Sequence, residues 1–122
     1  MAPKDDSYTS KCIDGVRVVS FNQSQILDAV AIDRLSANLK EHIDSSPEKQ
    51  YVLFFGAVSY LSSSALGMLI GLQRRFAQRG GDVKLAGIHD EIMEVFRITK
   101  LDTVFDIYKD VQSAVEAHRK NL

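Results

Sequence analysis

Residues 51–58, with the sequence YVLFFGAV, form an unbroken apolar run that contains β-branched and aromatic side chains. Such a run, without polar alternation, is typical of a strand that is buried on both faces in the middle of a covered sheet. A strand of this kind requires helices above and below its sheet. The run therefore limits the chain to folds in which helices and strands are layered.

The preceding segments predict a hairpin and a helix. Asp14-Gly15 lies between the β-prone runs YTSKCI and VRVVSF, which is a strong signal for a two-residue hairpin. The next segment, 26–43, changes to helical spacing, with Asp28 as a suitable N-cap and a polar, proline-containing segment at 44–49 after its end. The apolar positions of this helix are Ile32, Leu35, Leu39 and Ile43.

The remaining segments continue the alternation of strand and helix. A helix after the central run reaches about Arg79, where Gly80-Gly81 ends it, and DVKLAGI predicts the next strand. Asp90 and Asp110 are N-cap candidates for two further helices, separated by the short strand TVFDIY. This order predicts a single α/β domain over 8–120, with later strands parallel, after a flexible tail at 1–7.

Charge and hydropathy exclude several classes of partner. The 122 residues include 15 basic and 16 acidic side chains, so the chain lacks the basic excess that favours nucleic acid or an anionic membrane. No apolar run approaches the roughly 20 residues of a membrane span. The polar N-terminal segment carries no hydrophobic signal, and we expect a cytoplasmic protein.

Enzyme, metal and cofactor sites are not indicated either. No glycine-rich phosphate loop, nucleophile elbow or acidic receiver site is present, so we expect neither catalysis nor a cofactor. Cys12 is the only cysteine and is predicted to be a small buried apolar residue. The three histidines have no metal-ligand spacing and are expected at surfaces or helix ends: His42, His89 and His118.

Three consecutive serines stand where the helix after the central strand begins. Ser62 or Ser63 is the expected N-cap, because a hydroxyl there accepts a hydrogen bond from a free backbone N–H. A phosphate on a neighbouring serine would lie at the positive end of the helix and add about −1.5 to −2 charges. The serine run therefore predicts either a cap with a turn, or a phosphorylation switch.

Helical spacing divides the following residues into two faces. A core face is predicted for Leu66, Leu69, Ile70, Phe76 and Ala77. An outward face that suits a regulated protein contact is predicted for Ser64, Gly67, Met68, Gly71, Leu72 and Arg75.

From about residue 10 to 118 the chain resembles the STAS domain family, the bacterial anti-sigma factor antagonists. The resemblance lies in the order strand, serine motif, helix, Gly-Gly, strand and helix, and in SSSALG at 62–67, which matches the family's Asp-Ser-Ser-Gly-Leu-Gly. It implies a mixed β-sheet with four α-helices. It also implies a non-catalytic protein that binds an anti-sigma factor, often a serine protein kinase, is switched off by phosphorylation and is restored by a phosphatase.

Carried over position by position, the resemblance places the phosphoacceptor at Ser64, with Ser63 as second choice, and the family's acidic residue before the first helix at Asp28. The motif's aspartate is Ser62 here, its glycine is Ala65, and the aspartate common in the central strand is Phe54. Because these carboxylates are missing, a non-phosphorylated interaction or scaffold module is the alternative. The predicted partner-binding residues are Asp28, Ser62, Ser63, Gly67, Met68, Leu72 and Arg75.

Overall fold

The structure, a computed structural model, describes residues 8–22, 25–26 and 29–120. The predicted tail at 1–7 and the predicted N-cap Asp28 lie outside these ranges. The strands are β1 Tyr8–Ile13, β2 Val16–Phe21, β3 Gln25–Ile26, β4 Gln50–Phe54, β5 Tyr60–Leu61, β6 Asp82–Ala86 and β7 Asp106–Tyr108. The helices are α1 Ala29–Ser45, α2 Ser63–Gln78, α3 Asp90–Ile98 and α4 Val111–Lys120, with a 3-10 turn at Leu101–Thr103.

Five of the strands form one mixed sheet in the order β1-β2-β4-β6-β7. The β1–β2 pair is antiparallel, whereas β2, β4, β6 and β7 run parallel to one another. The very short strands β3 and β5 form a separate parallel pair, which the sequence pattern did not predict. The α/β fold with a mixed sheet and four helices is as expected from the sequence.

The hairpin turn is the predicted one. Asp14 and Gly15 both have positive φ angles, 52° and 84°, which is the backbone of the two-residue turn that matches the twist of the paired strands. The prediction that Cys12 is buried is wrong, since its side chain is exposed. The reason is that β1 is the outermost strand of the sheet, and none of its six residues is buried.

The central strand β4 is buried on both faces, as its apolar sequence predicts. Tyr51 and Leu53 join the core cluster formed with α1, α2 and α3, and Val52 joins the cluster formed with α4 on the other face. The strand ends at Phe54, however, and the rest of the apolar run is a loop in which Phe55 and Val58 are fully buried. These buried loop residues fix the path from β4 to α2.

Of the two predicted N-caps Asp110 and Asp90, the first is confirmed and the second is wrong by one residue. Asp110 caps α4, because its Oδ1 accepts a 2.8 Å hydrogen bond from the backbone N–H of Ser113. In α3 the N-cap is His89, with extended backbone angles, and Asp90 is the first helical residue. Within α3, Ile92 and Phe96 are buried, whereas Val95 is exposed.

The predicted faces of α2 are partly wrong. Helical spacing places Met68 and Leu72 on the outward face, but their exposed fractions are only 7% and 1%. Ala77, expected in the core, is exposed. The reason is that α2 packs against both the sheet and α1, so it buries a wider and rotated set of residues: Ala65, Met68, Leu69, Leu72 and Phe76.

Candidate functional site

The candidate site lies at the start of α2, at the edge of the sheet where its parallel strands have their carboxyl ends. Strand β4 ends at Phe54, and residues 55–59 lead through β5 to the three serines. Loops at this edge of parallel sheets are where α/β proteins commonly place their binding residues, since the chain leaves each strand there. The serine motif therefore occupies a position suited to contact with another molecule.

Ser62 is the N-cap of α2. Its backbone is extended, with φ −78° and ψ 167°, and its Oγ accepts a 3.2 Å hydrogen bond from the backbone N–H of Ala65. This contact satisfies one of the N–H groups that a helix start leaves without an intrahelical partner. The structure thus confirms that one serine caps the helix and assigns that role to Ser62.

The other two serines are the first two residues of α2, and both are exposed. In the described part of the chain, no hydrogen bond joins Ser62, Ser63 or Ser64 to a histidine, so none of these hydroxyls has a neighbouring base. The first turn of α2 also contains no acidic side chain. The hydroxyls of Ser63 and Ser64 therefore lie exposed beside the positive end of the helix dipole.

The loop that leads to the serines is firmly held. The His89 ring donates from Nε2 to the carbonyl oxygen of Gly56 at 2.8 Å, which joins the start of α3 to this loop. The backbone N–H of Phe55 donates to the carbonyl of Ala86 at 3.0 Å, and that of Val58 to the carbonyl of Phe55 at 2.9 Å. The serines consequently project from a fixed support rather than from a long unpacked loop.

The ring of Phe54 fills the space where the resemblance places a carboxylate. A Cβ atom on Gly56 would lie 2.2 Å from Phe54 Cζ, and one on Gly87 would lie 2.6 Å from Phe54 Cε1. Both glycines therefore leave room for the aromatic ring, which is partly buried against the α4 side of the sheet. The carboxyl end of β4 is therefore apolar at this position.

The outward side of α2 after the serines is open. Gly67 is exposed and Gly71 is half-buried, and a Cβ added at either position would meet no atom within 4 Å beyond the neighbouring backbone of α2 itself. Neither glycine is needed to make room for the protein's own side chains. Together with Ser63 and Ser64 they form an open strip along α2, on which another molecule can approach the helix backbone closely.

Arg75 does not lie with the serines. It is eleven positions along α2 from Ser64, or about 16 Å at the usual helical rise. Its guanidinium forms an ion pair with Asp44 of α1, in which Arg75 Nε donates to Asp44 Oδ1 at 3.0 Å, and this contact lowers the pKa of the Asp44 carboxyl. Arg79 adds a 2.7 Å hydrogen bond to the carbonyl of Ile43. These contacts tie α2 to α1.

The polar groups at the opposite, amino-terminal edge of the sheet are not indicated by the sequence pattern. Lys84 is 2% exposed, and its Nζ donates to Asp82 at 3.1 Å and to Asp106 at 3.0 Å. His118, expected at a surface or helix end, is fully buried and donates from Nε2 to the carbonyl of Tyr51 at 2.8 Å. Both side chains lie on the face of the sheet that α4 covers: His118 joins α4 to β4, whereas Lys84 joins β6 to β7.

Within residues 8–22, 25–26 and 29–120, no three His, Cys, Asp or Glu side chains come close enough together to hold a metal ion. None of the helices in these ranges has the length and apolarity to cross a bilayer.

Comparison with known proteins identifies the fold family. The family model of the STAS domain matches residues 7–114. BtrV, a candidate anti-sigma factor antagonist of Bordetella bronchiseptica, is 24% identical over 110 residues, which are 90% of this chain and 92% of BtrV.

Solved structures agree with that assignment at the level of the fold. An anti-sigma factor antagonist from Mycobacterium paratuberculosis has a TM-score of 0.78 at 24% identity, over 97% of each chain. The anti-sigma factor antagonist SpoIIAA in its unphosphorylated form has a TM-score of 0.67 at 17% identity, over 92% of this chain and 97% of its own. SpoIIAA of Bacillus has also been solved in a phosphorylated form, with a TM-score of 0.68 at 17% identity over 90% of this chain and 97% of its own. The chain therefore belongs to the STAS domain family.

Proposed function

We propose that this protein is an anti-sigma factor antagonist, which binds an anti-sigma factor of the serine protein kinase type and is released from it when Ser64 is phosphorylated. The observation that carries the proposal is that Ser62 and Ser64 have different structural roles in the serine run. Ser62 caps α2, which leaves the exposed Ser64 hydroxyl available for modification without loss of the cap. Relatives named as anti-sigma factor antagonists support the choice of partner.

The environment of Ser64 favours a switch that leaves the fold intact. A phosphate there would lie next to the free N–H groups of α2, in a first turn without acidic side chains, so the domain itself would not be destabilised. A partner that covered the phosphate would have to strip water from a group with about −1.5 to −2 charges. Modification would therefore weaken binding while the antagonist stays folded.

The proposed contact surface differs from the one that the sequence pattern suggests. Because Met68 and Leu72 are buried, they are not available to a partner. The surface consists instead of Ser63, Ser64 and the open strip at Gly67 and Gly71. Asp28 remains a predicted contact on the strength of the resemblance alone. The phosphatase that would restore binding is likewise part of the proposal.

The test compares substitutions at Ser64. The protein and its variants are used to capture partners from their own cells, the anti-sigma factor is identified and purified, and affinities are measured by calorimetry. Ser64→Ala should bind like the wild type, and Ser64→Asp should lose binding. Gln112→Asp is the matched control, because Gln112, like Ser64, is the exposed second residue of a helix, here α4 on the other face of the sheet.

Two results would contradict a switch at Ser64. Equal binding of the Ser64→Ala and Ser64→Asp variants would assign the protein to the non-phosphorylated interaction modules of the same fold. Loss of binding in Ser63→Asp but not in Ser64→Asp would move the phosphoacceptor to the neighbouring hydroxyl. Circular dichroism of each variant would show that the fold is retained.

A further inference from the structure

A small apolar cleft lies between the start of α2 and the outer side of α3. Its volume is about 190 Å³, and its apolar lining comes from β5, α2 and α3: Tyr60, Leu61, Leu66, Ile92 and Val95. Binding sites for small organic ligands usually span about 300–1,000 Å³. The cleft is therefore better matched to a single large apolar side chain from another protein than to a cofactor or metabolite.

The apolar groups at the mouth of this cleft are uncovered. Tyr60 is 53% exposed and Val95 is 38% exposed, whereas Leu61 and Ile92 are buried and form the floor. Leu66 is half-buried between them. An aromatic and an aliphatic side chain placed around a concave apolar floor are the usual setting for a residue that contributes most of the energy of a protein contact.

The charged rim of the cleft is acidic. Glu91 lines it, Asp90 precedes Glu91 at the start of α3, and neither has an ion pair with any residue that the structure describes. Glu94, one turn further on, is already paired with Arg97 at 2.9 Å. The unpaired carboxylate of Glu91 thus gives the cleft a net negative edge, which complements a cation on an incoming segment.

We infer that this cleft binds a short segment of a partner protein, in which one large apolar side chain enters the cleft and an adjacent Arg or Lys pairs with Glu91. The inference rests on the proposed function for the nature of the partner. The cleft adjoins the serine run, because Leu61 directly precedes Ser62 and Leu66 lies two residues after Ser64 in the chain. A segment held in the cleft would place its parent protein over the open strip of α2. The cleft supplies the contact that the buried Met68 and Leu72 cannot.

The test uses the isolated protein, labelled with nitrogen-15, and three capped tetrapeptides as probes. One peptide has arginine at both ends and two leucines between them, a second has glutamate at both ends instead, and a third has serines in place of the leucines. Only the first should produce saturable shifts of the amide signals of Leu66, Ile92 and Val95. Its binding should weaken at high salt, because exposed ion pairs are screened.

Matched variants distinguish the contribution of the ion pair to peptide binding from that of the apolar contact. Glu91→Gln should weaken binding of the arginine–leucine peptide about two- to fivefold, the range for an exposed ion pair. Glu94→Gln should leave it unchanged. Val95→Ser should weaken binding as well, while Val104→Ser, a change of an exposed valine that does not line the cleft, should have no effect.

Three outcomes would overturn the inference. Equal binding of the arginine and glutamate peptides would show that Glu91 does not select a cation. Signal shifts confined to other parts of the surface would show that the peptide does not bind in the cleft. Shifts of the same amides that depend on protein concentration without peptide would make a second copy of this chain the occupant. The peptide assay involves no kinase and no phosphate, so these results are independent of whether Ser64 is a switch.

Discussion

Replacement of Leu72 by alanine tests the orientation of α2, which determines which residues of this helix a partner can reach. Leu72 is 1% exposed in the core between α2, α1 and the sheet. Removing a fully buried leucine side chain to Cβ costs about 3 kcal/mol, from lost apolar transfer and from the cavity left behind. We therefore expect Leu72→Ala to lower the free energy of unfolding by about that amount.

The corresponding shift in melting temperature follows from the size of the chain. An unfolding entropy of about 2.1 cal/mol/K per residue gives about 0.26 kcal/mol/K for 122 residues. A loss of about 3 kcal/mol therefore lowers Tm by about 12 °C. The assay is thermal unfolding followed by circular dichroism, together with urea unfolding at equilibrium to check that the m value is unchanged.

The control is Ile98→Ala, at a helical isoleucine of α3 whose side chain is 76% exposed. We expect it to change stability by less than about 0.5 kcal/mol. A Leu72→Ala variant as stable as the Ile98→Ala variant would refute the orientation of α2. It would return Leu72 to the outward surface that helical spacing alone suggests.

Three further changes test other parts of the structure. Burial lowers the pKa of His118, so the folded protein holds the neutral ring while the unfolded chain takes up a proton near pH 6.5. The free energy of unfolding should accordingly fall as the pH is lowered through about 6.5. In His118→Gln this fall should be smaller, and a urea midpoint that depends on pH as strongly in the variant as in the wild type would contradict this. Ser62→Ala should lower the free energy of unfolding, measured with urea, by about 1 kcal/mol, because the cap on α2 is lost. An unchanged free energy of unfolding would show that the cap is not formed. Gly56→Ala should destabilise the folded protein by about 1–3 kcal/mol, because the new methyl group meets the Phe54 ring. A double-mutant cycle with Phe54→Ala should show that the two changes are energetically coupled, and absence of coupling would contradict this packing.

Element order and central packing are predictable from this sequence because they depend on strong local patterns. The run at 51–58 is apolar without interruption, so its strand is buried on both faces whatever the neighbouring helices do. Asp14-Gly15 fixes the hairpin through the backbone angles that these two residues tolerate. Asp110 identifies the start of α4 through a side chain that satisfies a free N–H.

The orientation of α2 is not predictable in the same way. Apolar residues surround this helix on most sides between Ala65 and Leu72, so spacing alone does not define one buried face. The packing of α1 against α2 determines which side of α2 is buried, and that contact joins residues far apart in sequence. The exposure of Cys12 has a similar origin, because the order of strands in the sheet, not the local pattern, places β1 at its edge.

At the candidate site, the sequence locates the serines but not their separate roles. Either Ser62 or Ser63 is a suitable N-cap by pattern, and only the backbone angles and the hydrogen bond to Ala65 distinguish them. The cleft beside Tyr60 could not be predicted, since it depends on the distance between α2 and α3 and on the exposure of Val95. Its signal in the sequence is an aromatic residue just before the serine motif.

The most direct test of a switch at the start of α2 is phosphopeptide mapping of this protein isolated from its own cells, during growth and under stress. We predict phosphate on Ser64 whose occupancy changes between the two conditions, with Ser62 unmodified because its hydroxyl caps the helix. Absence of phosphate from Ser64 in both conditions would contradict it and leave the protein as a fixed binding module.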